Sequence, residues 1–194
     1  MPRNRASAKK AGTTFEQNVC DYLRCVLGDD RIERRAKRGT RDAGDVAGLR
    51  IPEGAVVMEC KDERNPRPWG YLVEAERERA NARAALGVVC MHVQGYGRRD
   101  MGRQLVAMER AAFNVFFETD MKRPVAKGLF RADKMREWAS GPHQFIQLQH
   151  RTDGRLMVLM TLQSFAAELA GGAVLLETER WVAEWKRRPQ RKEL

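Results

Sequence analysis

The chain has 194 residues, a formal net charge of +10 and a pI near 9.9, a length that buries about 70% of the unfolded surface in one domain plus an extension without disulfide staples. No apolar stretch approaches the roughly 20 residues that cross a bilayer, and no hydrophobic segment follows the basic N-terminus, so a cytoplasmic protein with no membrane partner is expected. Cys20, Cys25, Cys60 and Cys90 lack the paired spacings of a zinc site, while the positive charge favours a polyanionic partner through counterion release.

Residues 1–12 carry Arg3, Arg5, Lys9 and Lys10 without an apolar period and are expected to form a flexible basic arm. Lys186, Arg187, Arg188, Arg191 and Lys192 form a matching run near the other end. From Thr13, the residues Phe15, Val19, Tyr22, Leu23 and Val26 recur at helical spacing, and Gly28 is placed to end that helix. Residues 32–38 are a possible strand. Asp45 to Arg50 and Ala55 to Lys61 read as a hairpin around Pro52, Glu53 and Gly54.

Beyond Pro66 and Pro68, the Ala-, Glu- and Arg-rich stretch from Trp69 to Leu86 favours helix, with Gly87 stopping it. Val88 to Val93 then read as a buried strand, followed by the basic turn Gly97-Arg98-Arg99. A strand at Gln104 to Met108 and helices at Ala111 to Phe117 and Asp133 to Ala139 come next. Phe145 to Gln149 and Leu156 to Thr161 flank Asp153-Gly154 as a second hairpin, before helices at Ser164 to Ala170 and Val174 to Arg187. The runs 88–117 and 145–170 share the order strand, turn, strand, helix.

The chemistry concentrates at the end of the strand from Ala55 to Lys61. Alternation puts Val57, Glu59 and Lys61 on one face and Val56, Met58 and Cys60 on the other, so a carboxylate and an ammonium stand side by side above an apolar run. That arrangement is costly unless solvent, a metal or a ligand meets it. A three-residue loop would pair Ile51 with Ala55 and set Asp45 opposite Lys61, on the face of Glu59. A two- or four-residue loop would set Asp45 across from Cys60 instead. Two carboxylates and a lysine so placed suit phosphodiester hydrolysis by a Mg²⁺-bound water, since Mg²⁺ takes one or two carboxylates and completes its shell with water and phosphate. Lys61 would orient or activate that water, or stabilise the phosphate charge. Crowded acids would make one of them bind a proton more readily, so activity is expected to need a divalent ion and mildly alkaline pH.

Gly12-Thr13-Thr14-Phe15-Glu16, the run from Arg38 to Gly48 (Arg-Gly-Thr-Arg-Asp-Ala-Gly-Asp-Val-Ala-Gly) and Glu59-Cys60-Lys61-Asp62 together resemble the PD-(D/E)xK nucleases over roughly residues 13–110. Within that superfamily the chain is similar to Holliday-junction resolvases, phage-encoded ones included. The resemblance implies an α/β protein. Residues 13–118 would form a restriction-endonuclease-like core, a mixed β-sheet flanked by helices, and residues 119–194 an α+β extension. It implies Asp45 and Glu59 as metal ligands, Lys61 as the catalytic lysine and Glu16 as a further catalytic and metal-binding acid from the first helix. It also implies Mg²⁺, with Mn²⁺ able to substitute, and branched DNA such as a four-way junction as substrate. Its setting would be recombination or repair in a bacterial or phage-infected cell, and two cuts per junction imply a homodimer. Gly44 stands where the literal motif has proline.

Glu16 also completes a capping box with Thr13. Asp42 reads as a turn residue, and Glu74 faces either solvent or the site. Arg34, Arg35, Lys37, Arg38 and Arg41 precede the first acid, and Arg98, Arg99 and Arg103 follow the later strand. Clusters that bracket an acidic site are expected to grip a DNA backbone. His92, His143 and His150 have no ligand spacing, and Trp69, Trp138, Trp181 and Trp185 read as packing residues. Two other readings stay open: a restriction or repair nuclease of the same fold acting on duplex or flap DNA, and a non-catalytic DNA-binding protein.

Overall fold

The computed structural model describes residues 5–36, 43–117, 129–140 and 145–171, with Trp185 and Arg187. Lys37, Arg38, Arg41, Asp42, His143 and Trp181, and most of the helix expected from Val174 to Arg187, lie outside the described residues. The first helix, α1, spans Arg5–Leu27. The stretch expected to be a flexible arm is therefore helical from Arg5. Ala6, Ala8, Lys9, Lys10 and Ala11 are strong helix formers, and their propensity carries the helix two turns upstream of the apolar stripe. Thr13 thus lies inside the helix, and the capping box does not form.

Short strands β1 (Glu33–Arg34), β2 (Val46–Ala47) and β3 (Arg50–Ile51) lead into the long β4 (Gly54–Lys61). Helix α2 (Pro68–Ala82) crosses over to β5 (Leu86–Met91), which runs parallel to β4 from Val56↔Leu86 to Lys61↔Met91. Gly87 does not end α2, as expected from the sequence. Arg83 does so in a left-handed conformation, which frees Leu86 and Gly87 to pair with β4. A 3₁₀ segment, Arg98–Arg103, leads to β6 (Leu105–Glu109) and α3 (Arg110–Phe116). Next come a 3₁₀ turn at Ala132–Lys134, α4 (Met135–Ser140), β7 (Ile146–Gln149), β8 (Leu156–Thr161) and α5 (Leu162–Leu169).

These strands form one mixed eight-stranded sheet in the order β1-β2-β4-β5-β6-β8-β7, with β3 hydrogen-bonded to β4 off that path. The second hairpin therefore continues the sheet through β6 and β8. On one face Val56, Met58, Cys60, Val88, Cys90 and Val106 pack with Val19, Leu23, Phe113 and Phe165 of α1, α3 and α5. On the other, Val89, Met91, Leu105 and Ala107 pack with Tyr71, Leu72, Ala75 and Met135 of α2 and α4. The central strands β5, β6 and β8 are near-continuous apolar runs because both faces are covered. No described helix is long and apolar enough to cross a membrane.

No disulfide joins the cysteines. Burial pushes the Cys20 thiol up to about 12, and it raises Cys60 and Cys90 as well.

The β3–β4 turn departs from the three-residue loop expected. Ile51 pairs with Gly54 and Arg50 with Ala55, so the turn has two residues, Pro52 and Glu53. Four steps separate Val46 from Arg50, whereas three separate their partners Met58 and Ala55, so the β2–β3 side carries one extra residue. That bulge centres on Gly48, whose φ is +85° and whose absent Cβ would collide with the Arg31 carbonyl. Gly48→Ala must meet both the backbone penalty and the collision. It is expected to destabilise the fold by at least about 2 kcal/mol, read from the midpoint of urea unfolding at constant slope.

Candidate active site

Since Val56, Met58 and Cys60 occupy the α1 side of the sheet, Glu59 and Lys61 project toward α2, as the strand alternation predicts. The Lys61 ammonium lies 2.7 Å from Glu59 Oε1 and 2.7 Å from Glu74 Oε2 of α2. It also sits 5.4 Å from the centre of the Tyr71 ring. Glu74 thus faces the site, settling the alternative left open by the sequence.

A second acid of α2, Glu78, is 5% exposed and hydrogen-bonds Glu59. The sequence reading missed it. Its signal was positional: Glu78 continues the buried stripe of Tyr71, Leu72 and Ala75, where an uncharged residue is the ordinary occupant.

Asp45 reaches this strand end in another way than expected. Its amide donates to Met58 O at 2.9 Å, and Val46 already pairs with Met58. Asp45 therefore steps out of the ladder and stands opposite neither Lys61 nor Cys60. Its Oδ2 accepts the Cys60 amide at 2.8 Å, which brings the carboxylate to the peptide joining Glu59 and Cys60. Gly44 makes this bend possible. Its φ is +86°, and a Cβ would lie 2.8 Å from Val57 Cγ1, so proline, fixed near −65°, has no place there.

Glu16, 6% exposed, pairs with Arg34 Nη1 at 3.2 Å. Among the described residues no three His, Cys, Asp or Glu side chains group closely enough to hold a metal ion. The structure thus brings Asp45, Glu59 and Lys61 to one peptide segment but engages Glu16 with an arginine.

Burial raises the Glu59 carboxyl above its ordinary value. Lys61 opposes this rise and the Glu78 carboxylate adds to it. The acid that crowds Glu59 is accordingly Glu78 on α2, where the sequence predicts Asp45. Burial alone would lower Lys61, but its hydrogen bonds to Glu59 and Glu74 outweigh that and hold its pKa well above normal. Both carboxylates thus favour the charged form of Lys61.

No family model, curated protein or solved structure matches the chain. The site is read from its own geometry.

The residues expected to grip DNA divide into two kinds. Arg34 is tied to Glu16, and the Arg35 backbone amide donates to Asp45 O at 2.8 Å; both brace the acid more than they face solvent. Arg99 and Arg103 are exposed on the 3₁₀ segment. Arg98 stacks on Trp185 at 4.6 Å, and the Trp185 indole donates to Arg98 O. Arg136 of α4 joins this basic group, lying 5.5 Å over the Tyr96 ring, with Arg103 at 5.3 Å. Arg136 carries no local signal, because only the fold brings α4 beside Tyr96.

Proposed function

We propose that the chain is a divalent-metal-dependent DNA endonuclease with a PD-(D/E)xK-type centre, acting on branched DNA such as a Holliday junction as a homodimer. The observation that carries this reading is the Glu59–Lys61 pair at the end of β4, with Asp45 bonded to the adjoining Cys60 amide. A buried carboxylate with a raised pKa is an anion short of countercharge, and a divalent cation is the ligand that would supply it. The donor set fits a hard ion: Asp45 and Glu59 would hold Mg²⁺, or Mn²⁺, with water and phosphate filling the remaining positions. Glu16 would join only by leaving Arg34.

The bound ion would neutralise charge on the phosphate and make its water more acidic. Glu59 and Glu74 hold the Lys61 ammonium between them. From that position Lys61 would donate to a non-bridging phosphate oxygen as negative charge builds there. Glu74, 44% exposed, is the partner Lys61 can release when a phosphate arrives. Arg99, Arg103 and Arg136 would contact flanking phosphates, which position the substrate without reading its sequence.

The test incubates purified protein with a labelled four-way junction, a flap and a linear duplex of the same sequence, in Mg²⁺, in Ca²⁺ and in chelator. Cleavage in Mg²⁺ alone, with the junction preferred, is expected, together with binding in Ca²⁺ that weakens steeply with salt. Preference for flap or duplex would turn the assignment to a restriction or repair nuclease. A non-catalytic DNA-binding protein is favoured by one observation, that Lys61 is already satisfied by two carboxylates. Salt-sensitive binding without cleavage of any of the three DNAs would establish it.

A further inference from the structure

Past the ends of β4 and β5, between the first half of α1 and the 3₁₀ segment after β5, lies an open cleft of about 400 Å³, on the α1 side of the sheet, whereas Glu59 and Lys61 face α2. It is tied to the site through the backbone. Asp62, on its wall, directly follows Lys61, and the His92 amide donates to Lys61 O at 2.9 Å. The cleft is ring-lined: His92 packs against Phe15 with centroids 5.2 Å apart, and Tyr96 borders the same space. His92 is held in place by Asp62 Oδ1 at 2.5 Å and by the Tyr96 carbonyl. Cations stand at the rim. Lys10 of α1 and Arg98 both line the cleft, with Asp62 as the one acid among its described lining residues, and Arg98 stacks on Trp185.

An apolar, ring-lined cleft with a cationic rim has the chemistry of a single nucleotide: a flat base inside and a phosphate at the mouth. A duplex cannot offer this, because its bases are stacked inside. An amphipathic helix of a partner protein would leave Lys10 and Arg98 facing its apolar side. We propose that this cleft receives one unpaired nucleotide of the DNA substrate, with its base among Phe15, His92 and Tyr96 and its phosphate between Lys10 and Arg98. The cleft thereby selects DNA with an unstacked nucleotide near the strand end that carries Glu59 and Lys61. This rests on the nuclease reading for its substrate and adds a specificity site to it.

The test is a binding scan in Ca²⁺ with forked DNA whose unpaired nucleotides near the branch are replaced singly by abasic residues, which keep the phosphate and delete the base. For the wild-type protein, one abasic position is expected to weaken binding roughly tenfold or more, the size of a lost base–aromatic stack. Ala11→Trp, which fills the cleft from α1, should bind the intact fork about as weakly as that abasic fork, be indifferent to the abasic change, and bind linear duplex as the wild type does. Lys10→Gln, on an exposed helical turn, provides a second variant that cannot unfold the core and should weaken fork binding several-fold. A flat abasic scan, or Ala11→Trp binding the intact fork as tightly as wild type, would overturn the proposal. Abasic sensitivity without cleavage of any DNA leaves the cleft standing and removes the nuclease. Cleavage with a flat scan does the reverse.

Discussion

Replacing Lys61 with alanine is expected to lower cleavage by about 10²–10³-fold, the usual effect of deleting one group that meets developing charge, while junction binding in Ca²⁺ stays within a few fold of wild type. The expectation follows from the two carboxylates that keep the ammonium protonated. Such a group contributes most where phosphate charge accumulates and little to ground-state grip, which other cations provide. Lys61→Arg should not restore the rate, since a planar fork cannot replace a compact ammonium between two acids. Alanine also leaves Glu59 and Glu74 without the cation they share, so this variant should melt below wild type. Single-turnover cleavage on folded protein, checked by circular dichroism, separates the two effects. Wild-type cleavage by Lys61→Ala would remove the lysine from the mechanism.

Glu59→Gln should abolish Mg²⁺-dependent cleavage and yet stabilise the metal-free protein at neutral pH. Burial and the Glu78 carboxylate raise the Glu59 pKa in the folded state, so the fold binds that proton more tightly than the unfolded chain does. Its contribution is complete below the unfolded value of about 4.3 and is lost as pH climbs through the raised value. Glutamine is neutral throughout, and Lys61 retains Glu74. The variant is therefore expected to melt higher than wild type at pH 7 to 8, with the gap closing toward pH 4, at about 2–4 °C for each kcal/mol relieved. Mg²⁺ should raise the melting temperature of the wild type and not of the variant. A wild type that melts higher than Glu59→Gln in chelator at pH 8 would show that the carboxylate is fully compensated within the protein.

The ionic end of β4 was legible because strand alternation depends only on local geometry: Val56, Met58 and Cys60 had to turn one way if Glu59 and Lys61 turned the other. The buried strand after α2 was legible as a compact apolar run, and its parallel pairing with β4 came only from the fold. The route by which Asp45 arrives was not. It depends on a two-residue turn and on an extra residue at Gly48, and that residue is fixed by the approach of the Arg31 carbonyl, a contact distant in sequence. Gly44 and Gly48 mark both bends, but a glycine in a strand does not say which way the register moves. Glu78 escaped because charged helix positions are ordinarily solvated, and only burial distinguishes it. Helix propensity at Ala6, Ala8 and Ala11 was outweighed in the reading by the absence of an apolar stripe, although α1 needs no burial there to continue.

The cysteines behind the acidic centre bear on which ions it would accept. Cys60 lies between Glu59 and Lys61 in sequence but turns its sulfur to the opposite side of the sheet, where burial keeps it protonated, as it does Cys20 and Cys90. A thiol that stays neutral is a poor donor to soft metals. The β4 side chains on the front of the sheet thus bring carboxylate oxygen and no thiol, and a bias against zinc or copper would be built into the way β4 divides its side chains between two faces.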